Sequence, residues 1–155
     1  AIQLAKLRGA EVYTTTTHTD LATRLGADYA IDYTQQDFTL LQGMDMVIDA
    51  VGGETLKQSY LTLKKGGQMI SIISTPEQSD LDQYGVTGAF CFVEPSAEQL
   101  THLAELIEAD KLEIIIDSVH PLTATALAHE RSQTDRAVGK IILAIHADTQ
   151  PKAYT

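Results

Sequence analysis

The fold class is decided by residues 44–73, whose sequence is MDMVIDAVGGETLKQSYLTLKKGGQMISII. An apolar run over 44–51 predicts a strand, and Gly52-Gly53 marks the turn after it. A second apolar run over 68–73 predicts the next strand. Between the runs, Leu56, Tyr60 and Leu63 share one face of a predicted helix. This order of strand, helix and strand is typical of a parallel βαβ unit.

The predicted helix covers residues 54–63. Lys64 and Lys65 suit the negative end of a helix dipole, and Gly66-Gly67 is expected to end the helix. Residues 74–85 are polar and contain Pro76, so a loop or a single helical turn is expected there.

The same alternation continues on both sides of this unit. Further strands are predicted at 11–17, 29–33, 89–93, 114–119 and 139–145. Further helical segments are predicted at 2–10, 21–25, 35–41, 95–107 and 122–133. The central strands are apolar runs rather than strict alternations, which indicates a mainly parallel, doubly wound α/β sheet covered on both faces.

Composition narrows the class of protein. The 155 residues are 44% apolar and 21% charged, with a formal net charge of −10, and this fits one globular domain. The acidic balance argues against nucleic acid and against a basic membrane-surface helix. Cys91 is the only cysteine, so no internal disulfide or multi-cysteine zinc site is possible, and a cytoplasmic location is expected.

The carboxyl ends of the predicted strands carry hydroxyls, glycines and backbone amides, which suits a nucleotide. Each feature also has a plain structural interpretation. The threonine run at 14–17 suits an edge strand, Gly52-Gly53 an ordinary turn, and Asp49 a carboxylate that caps the turn after its strand. A nucleophile elbow and a Gly-rich phosphate loop are both absent from the sequence, and its five histidines lack metal-site spacing.

Several phrases in order resemble the cofactor-binding half of the medium-chain dehydrogenase/reductase superfamily, in its quinone oxidoreductase-like branch. They are QLAK at 3–6, GA at 9–10, LGAD at 25–28, IDY at 31–33, DAVGGETL at 49–56, LKKGG at 63–67, VHPL at 119–122, AH at 128–129 and GKIIL at 139–143. The resemblance covers nearly all of residues 1–146.

The resemblance implies a partial NAD(P)-binding Rossmann domain at 1–111, a return segment at 112–146 that packs with an absent catalytic domain, and a tail at 147–155. It also implies that the chain starts inside the helix that follows the Gly-rich loop, so that the first strand and this loop are missing. The strands at 11–17 and 44–51 would then flank a gap. We expect either that they close up or that another segment or chain fills the gap.

The resemblance further implies a nicotinamide cofactor at the strand ends. The end of the second Rossmann strand lacks the carboxylate that binds the ribose of NAD, so NADP is expected over NAD. The predicted cofactor-binding residues are Thr15, Thr16, His18, Tyr33, Val51, Gly52, Ser71, Ile72, Phe92 and Val93. Catalytic residues and zinc ligands are not expected in this chain.

The implied chemistry is hydride transfer from NADPH to a small quinone or enone, with this chain alone inactive. The family also implies a homodimer through a strand that begins at Thr87 and ends at Val93. One alternative is a free-standing, non-catalytic α/β module that binds a nucleotide or a partner. Another is an oligomerisation module.

Overall fold

A computed structural model of the chain describes residues 1–134 and 136–145. Two compact units divide the chain, Ala1–Ala97 and the part from Glu98 onward. The elements of the first unit are α1 (Ile2–Leu7), β1 (Tyr13–Thr15), α2 (Thr19–Arg24), β2 (Tyr29–Ile31), β3 (Met44–Asp49), α3 (Gly53–Ser59), β4 (Leu63–Ser71), α4 (Gln78–Tyr84) and β5 (Thr87–Phe90). They are followed by α5 (Ala97–Glu108), β6 (Ile116–Pro121), α6 (Thr125–Gln133) and β7 (Lys140–Ala144). The tail predicted at 147–155 lies outside the described residues.

The strands of the first unit form two parallel sheets. β1 pairs with β2, and β4 lies between β3 and β5. The sequence-based prediction of a mainly parallel α/β fold is therefore confirmed. β5 ends its sheet within the described residues, and the dimer expected at this strand stays a prediction.

The βαβ unit differs from the prediction after its helix. α3 ends at Ser59, a short 3-10 turn covers Tyr60–Thr62, and β4 begins at Leu63. The prediction that residues 64–67 end a helix is therefore wrong. Leu63 pairs with Met44, and Lys64 forms an ion pair with Asp45 on β3. An irregularity in the register after Met44 accommodates the extra residues of β4.

The segment between β4 and β5 also differs from the prediction. Residues 78–84 form α4, a helix of two turns rather than a loop or a single turn. Leu81 on this helix is buried, and the ring of Tyr84 stacks on that of Tyr60 at 5.2 Å. Gly85, with φ +63°, ends the helix in the left-handed conformation that glycine adopts at no steric cost.

The core of the first unit lies against β4. Leu56, Tyr60, Met69, Leu81 and Val86 form one buried cluster, and Met69 is completely inaccessible. Fully burying an apolar side chain contributes about 1.5–3 kcal/mol, so this cluster accounts for much of the packing between α3, α4 and the sheet. The core thus packs α3 and α4 against β4.

A stability prediction concerns Tyr60. Its Oη is buried and has no hydrogen-bond partner among the described residues. We expect Tyr60→Phe to leave the free energy of unfolding unchanged or to raise it by up to about 1–3 kcal/mol, because the substitution removes an unsatisfied buried hydroxyl. Tyr60→Leu, which loses the stacked ring, should lower it. Urea denaturation measures both. A loss above about 1 kcal/mol in Tyr60→Phe would show that the hydroxyl has a partner.

The pairing of β1 and β3 tests whether these two strands close the expected gap. β1 pairs with β2 and β3 pairs with β4, but β1 and β3 lie in separate sheets and do not pair with each other. Residues 2–7 form α1, so they do not supply an internal strand. Closure of the two strands by pairing is therefore not what the structure shows. The other alternative, a strand from another segment or chain, stays a prediction.

In the second unit, β6 and β7 are parallel and α6 packs on them. Asp117 on β6 accepts from Arg131 Nε at 2.8 Å and Nη2 at 2.5 Å, and from the Val138 amide at 2.9 Å. Only 7% of the Asp117 side chain is exposed. The Arg131 guanidinium and then this amide hold the pKa of Asp117 well below its usual range.

This lowered pKa gives a pH prediction for the second unit. A carboxyl whose folded pKa is depressed stabilises the fold above its unfolded pKa of about 3.9, and this contribution is lost as the pH falls towards the folded pKa. Asp117→Asn should lower the urea midpoint at neutral pH and flatten its fall below about pH 4. Glu130→Gln, an exposed position on α6, is the control. An unchanged acid limb in Asp117→Asn would contradict the assignment.

Candidate functional site

The carboxyl ends of β3, β4 and β5 lie in one row. Asp49 pairs with Ser71, and Ser71 pairs with Phe90, in the parallel register. The ladder continues one step further, because the Ile72 amide donates to Asp49 O and the Cys91 amide donates to Ser71 O. The chain segments after these three strands therefore leave the sheet at the same edge, where open α/β sheets bind ligands.

Two buried polar side chains organise this edge. Asp49 Oδ1 accepts from the amides of Val51 at 3.2 Å and Gly52 at 2.9 Å. Asp49 Oδ2 accepts from Ser71 Oγ at 2.7 Å. The Ser71 oxygen in turn accepts from the amides of Ile73 and Ser74. The turn-capping interpretation of Asp49 is thus confirmed, whereas its link to Ser71 was not foreseen from the sequence.

Gly52 brings the two turns into contact. It has φ +78° and ψ −168°, a conformation that is essentially restricted to glycine. A Cβ at this position would lie 2.7 Å from Ile73 Cγ2 and 3.3 Å from Ile73 Cβ. The backbone after β3 therefore passes directly against the side chain that follows β4.

Apolar side chains surround this edge and are open to solvent. The rings of Phe90 and Phe92 lie 6.4 Å apart, and Phe92 and Val93 are 75% and 74% exposed. The exposed members of this apolar rim are Val51, Ile72, Ile73, Phe90, Phe92 and Val93. Exposed apolar side chains gathered at one place are typical of surfaces that a ligand or a partner covers.

The other predicted residues lie at the end of the β1–β2 sheet. Thr15 pairs with Ile31 at the end of β1, and the Thr16 amide continues the ladder to Ile31 O. Thr16 Oγ1 accepts from the His18 amide at 3.0 Å, just before α2. Tyr33 follows β2 and is 57% exposed. The structure thus places the predicted residues at the carboxyl ends of two separate sheets.

An open cleft of about 440 Å³ lies at the turn after β2; none of the predicted residues lines it, and it was missed from the sequence. The residues that line it are Ile31, Gln35, Gln36, Asp37, Phe38, Leu40 and Leu41. Asp37 accepts from the Thr39 hydroxyl and amide, and these two bonds lower its pKa. A helical turn was expected here, and its apolar and amide side chains gave no separate sign of a cleft.

The comparisons with known proteins agree with a parallel α/β fold. The family model for zinc-binding dehydrogenases matches residues 25–143. A probable zinc-binding oxidoreductase, mitochondrial, of Arthroderma benhamiae is 33% identical, over 81% of this chain and 41% of that protein. An NADPH-dependent alkenal/one oxidoreductase, chloroplastic, of Arabidopsis thaliana is 31% identical, over 92% of this chain and 36% of that protein.

The solved structure of a quinone oxidoreductase from Coxiella burnetii superposes with a TM-score of 0.83 and 31% identity, over 94% of this chain and 48% of that one. The fold and strand ends define a Rossmann-like cofactor domain. The chain belongs to the zinc-binding dehydrogenase family of the medium-chain dehydrogenase/reductase superfamily. It spans less than half the length of these relatives.

The described residues lack both a metal-binding cluster and a membrane-spanning helix. They contain no cluster of three or more histidine, cysteine, aspartate or glutamate side chains able to hold a metal, so the zinc in the family's name has no fitting donor set in residues 1–134 and 136–145. In the same part of the chain, helices long and apolar enough to cross a bilayer are absent.

A substitution at Gly52 tests the turn geometry. We expect Gly52→Ala to lower the free energy of unfolding by about 1–3 kcal/mol, because it combines a glycine-only conformation with the Ile73 contact. Gly43→Ala is a matched control with φ +84° and nothing within 4 Å of a new Cβ. Urea denaturation should show a larger loss for Gly52→Ala, and Ile73→Ala should partly restore it. Equal losses at the two glycines would contradict the contact.

Proposed function

We propose that this chain forms the cofactor-binding part of an NADP-dependent oxidoreductase that reduces a small quinone or enone. The observation that supports this most directly is the family membership together with the row of strand ends at Asp49, Ser71 and Phe90. The Coxiella burnetii structure is a quinone oxidoreductase, and the Arabidopsis thaliana relative is named for NADPH and for alkenals and enones.

The donor chemistry of the strand ends fits a nicotinamide dinucleotide. Thr15, Thr16 and His18 offer hydroxyls and an imidazole near the end of β1, where residues 14–18 contain no carboxylate. An acidic residue there would bind the ribose 2′-hydroxyl of NAD and repel a 2′-phosphate, whereas the hydroxyls of Thr15 and Thr16 carry no such charge. Tyr33, exposed just after β2, would lie beside the adenosine end.

The apolar rim suits the other end of the cofactor. Ile72, Phe92 and Val93 are exposed at the edge where β4 and β5 end, so they would flank the nicotinamide and exclude water from one of its faces. The bound cofactor supplies the hydride, and the protein supplies binding, orientation and a dry surface. The 155 residues span less than half the length of the relatives. In this proposal most of the substrate site lies outside them, so we expect the 155-residue chain alone to be inactive.

A charge placed at the end of β1 tests the cofactor preference. In the natural gene product that contains this sequence, we expect a higher kcat/KM with NADPH than with NADH. Thr15→Asp should lower the NADPH to NADH ratio of kcat/KM by about tenfold or more, because the new carboxylate repels the 2′-phosphate and accepts from a ribose hydroxyl.

Gln83→Glu is the matched control for this test. It adds the same charge at an exposed position of α4, away from the strand ends, and should leave the ratio unchanged. A clear NADH preference in the unmodified enzyme would overturn the NADP assignment. Turnover of NADPH by the 155-residue chain alone would overturn its proposed inactivity. Binding of nucleotide without turnover in the natural gene product would favour a non-catalytic module.

A further inference from the structure

We propose that Asp49 and Ser71 act as one clamp that holds the turn after β3 and the turn after β4 at a fixed spacing. Asp49 and Ser71 are then positioning residues that act through the side chains of these turns. The role of the clamp in cofactor binding rests on the proposed function. The coupling between the two turns does not, and it is measurable on the chain without any ligand.

The hydroxyl of Ser71 is fully committed inside the protein. It donates its one hydrogen to Asp49 Oδ2 at 2.7 Å and accepts from the amides of Ile73 at 3.1 Å and Ser74 at 3.2 Å. A serine hydroxyl has one donor and two acceptor positions, so all three are used. With a fully buried side chain as well, Ser71 has nothing left to offer a ligand. Its predicted cofactor role is therefore better explained by positioning than by contact.

Asp49 completes the other half of the clamp. Its side chain is buried, with 4% of the residue exposed, and its two oxygens accept from three donors. Oδ1 holds the amides of Val51 and Gly52, and Oδ2 holds Ser71. The bond from Ser71 Oγ to Asp49 Oδ2 links the two turns directly through their side chains.

Two further contacts also hold the turn after β3 close to the turn after β4. The Ile72 amide donates to Asp49 O at 3.0 Å, which extends the ladder by one residue beyond the paired strand ends. Gly52 lies so close to Ile73 that a Cβ would overlap it. Val51, Ile72 and Ile73, which belong to the apolar rim, are thus carried on backbone that the clamp holds. A change of either buried residue should therefore move Val51, Ile72 and Ile73 together.

The opposing explanation is that each residue closes only its own turn. Asp49 would then cap residues 51–52, and Ser71 would cap residues 73–74, without influence on each other. The two explanations differ in one measurable respect. A clamp transmits a substitution on one strand to the amides after the other strand, whereas two independent turn motifs do not.

Asp49→Asn cuts the clamp selectively. The amide oxygen of asparagine can still accept from Val51 and Gly52, but its NH2 group cannot accept the hydrogen of Ser71. We expect the amides of Ile73 and Ser74 to exchange with solvent about tenfold faster in Asp49→Asn than in the unmodified chain, although neither amide bonds to residue 49. Amide hydrogen exchange followed by NMR on the 155-residue chain measures this.

Ser71→Ala tests the reverse direction. It should speed exchange at Val51 and Gly52 by a similar factor, although these amides bond to Asp49. If Ser71→Ala fails to fold, Ser71→Cys takes its place, because the thiol is similar in size and a much weaker hydrogen-bonding group. Ser59→Ala is the control, since Ser59 is a buried serine that donates to Thr55 O within α3. It should leave the four amides unchanged.

The outcomes separate the clamp from the proposed function. Faster exchange confined to the substituted residue's own turn would overturn the clamp. With the natural gene product, Asp49→Asn should raise the Kd for NADPH by about tenfold, with a smaller change in kcat, while Ser59→Ala leaves both unchanged. Equal NADPH affinity in Asp49→Asn would overturn the cofactor role of the clamp. Absence of NADPH binding by the unmodified enzyme would overturn the proposed function, while the exchange experiment still decides the coupling.

Discussion

The hydrogen bond from Ser71 Oγ to Asp49 Oδ2 joins the ends of the two longest parallel strands in the first unit. A parallel sheet places every strand's carboxyl end at the same edge, and the backbone amides just beyond the last paired residues need acceptors there. Asp49 and Ser71 provide those acceptors for Val51, Gly52, Ile73 and Ser74. Because the amides are satisfied internally, the apolar side chains of these turns can stay exposed to solvent at the edge without leaving unpaired backbone beneath them.

The alternation of strand and helix could be predicted because it depends on local patterns. Apolar runs at 44–51 and 68–73 predict buried strands, and the glycines between elements mark the turns. The end of α3 could not be predicted in this way. Lys64 and Lys65 suit a helix terminus, but Lys64 instead pairs with Asp45 across the sheet, a contact that depends on the fold rather than on neighbouring residues. α4 was missed for the same reason, because its stability comes from Leu81 and Tyr84 against the core.

In the candidate site, too, some features could be predicted from local sequence and others depend on long-range contacts. Exposed residues such as Thr15, Phe92 and Val93 could be placed at strand ends from the sequence, since strand order and direction determine where they fall. The part played by Ser71 depends on a bond across two strands separated by 22 positions in the sequence. A serine at the end of a strand is equally consistent with a ligand contact and with a buried capping group. In the structure its hydroxyl is buried and hydrogen-bonded to Asp49 and to two amides, which favours the capping role.

Because β1 and β3 lie in separate sheets, the candidate site consists of two separate groups of strand ends. In a doubly wound sheet, the strands on either side of the central strand hold the ends of a dinucleotide, and the central strand leads into the loop that holds the pyrophosphate. Here both flanking sets of strand ends are present. Hydroxyls and Tyr33 lie at the ends of β1 and β2, and the apolar rim lies at the ends of β3, β4 and β5. Each group is held by its own hydrogen bonds, Thr16 to Ile31 and His18 on one side and Asp49 to Ser71 on the other. The two halves of the candidate site are therefore organised independently of each other.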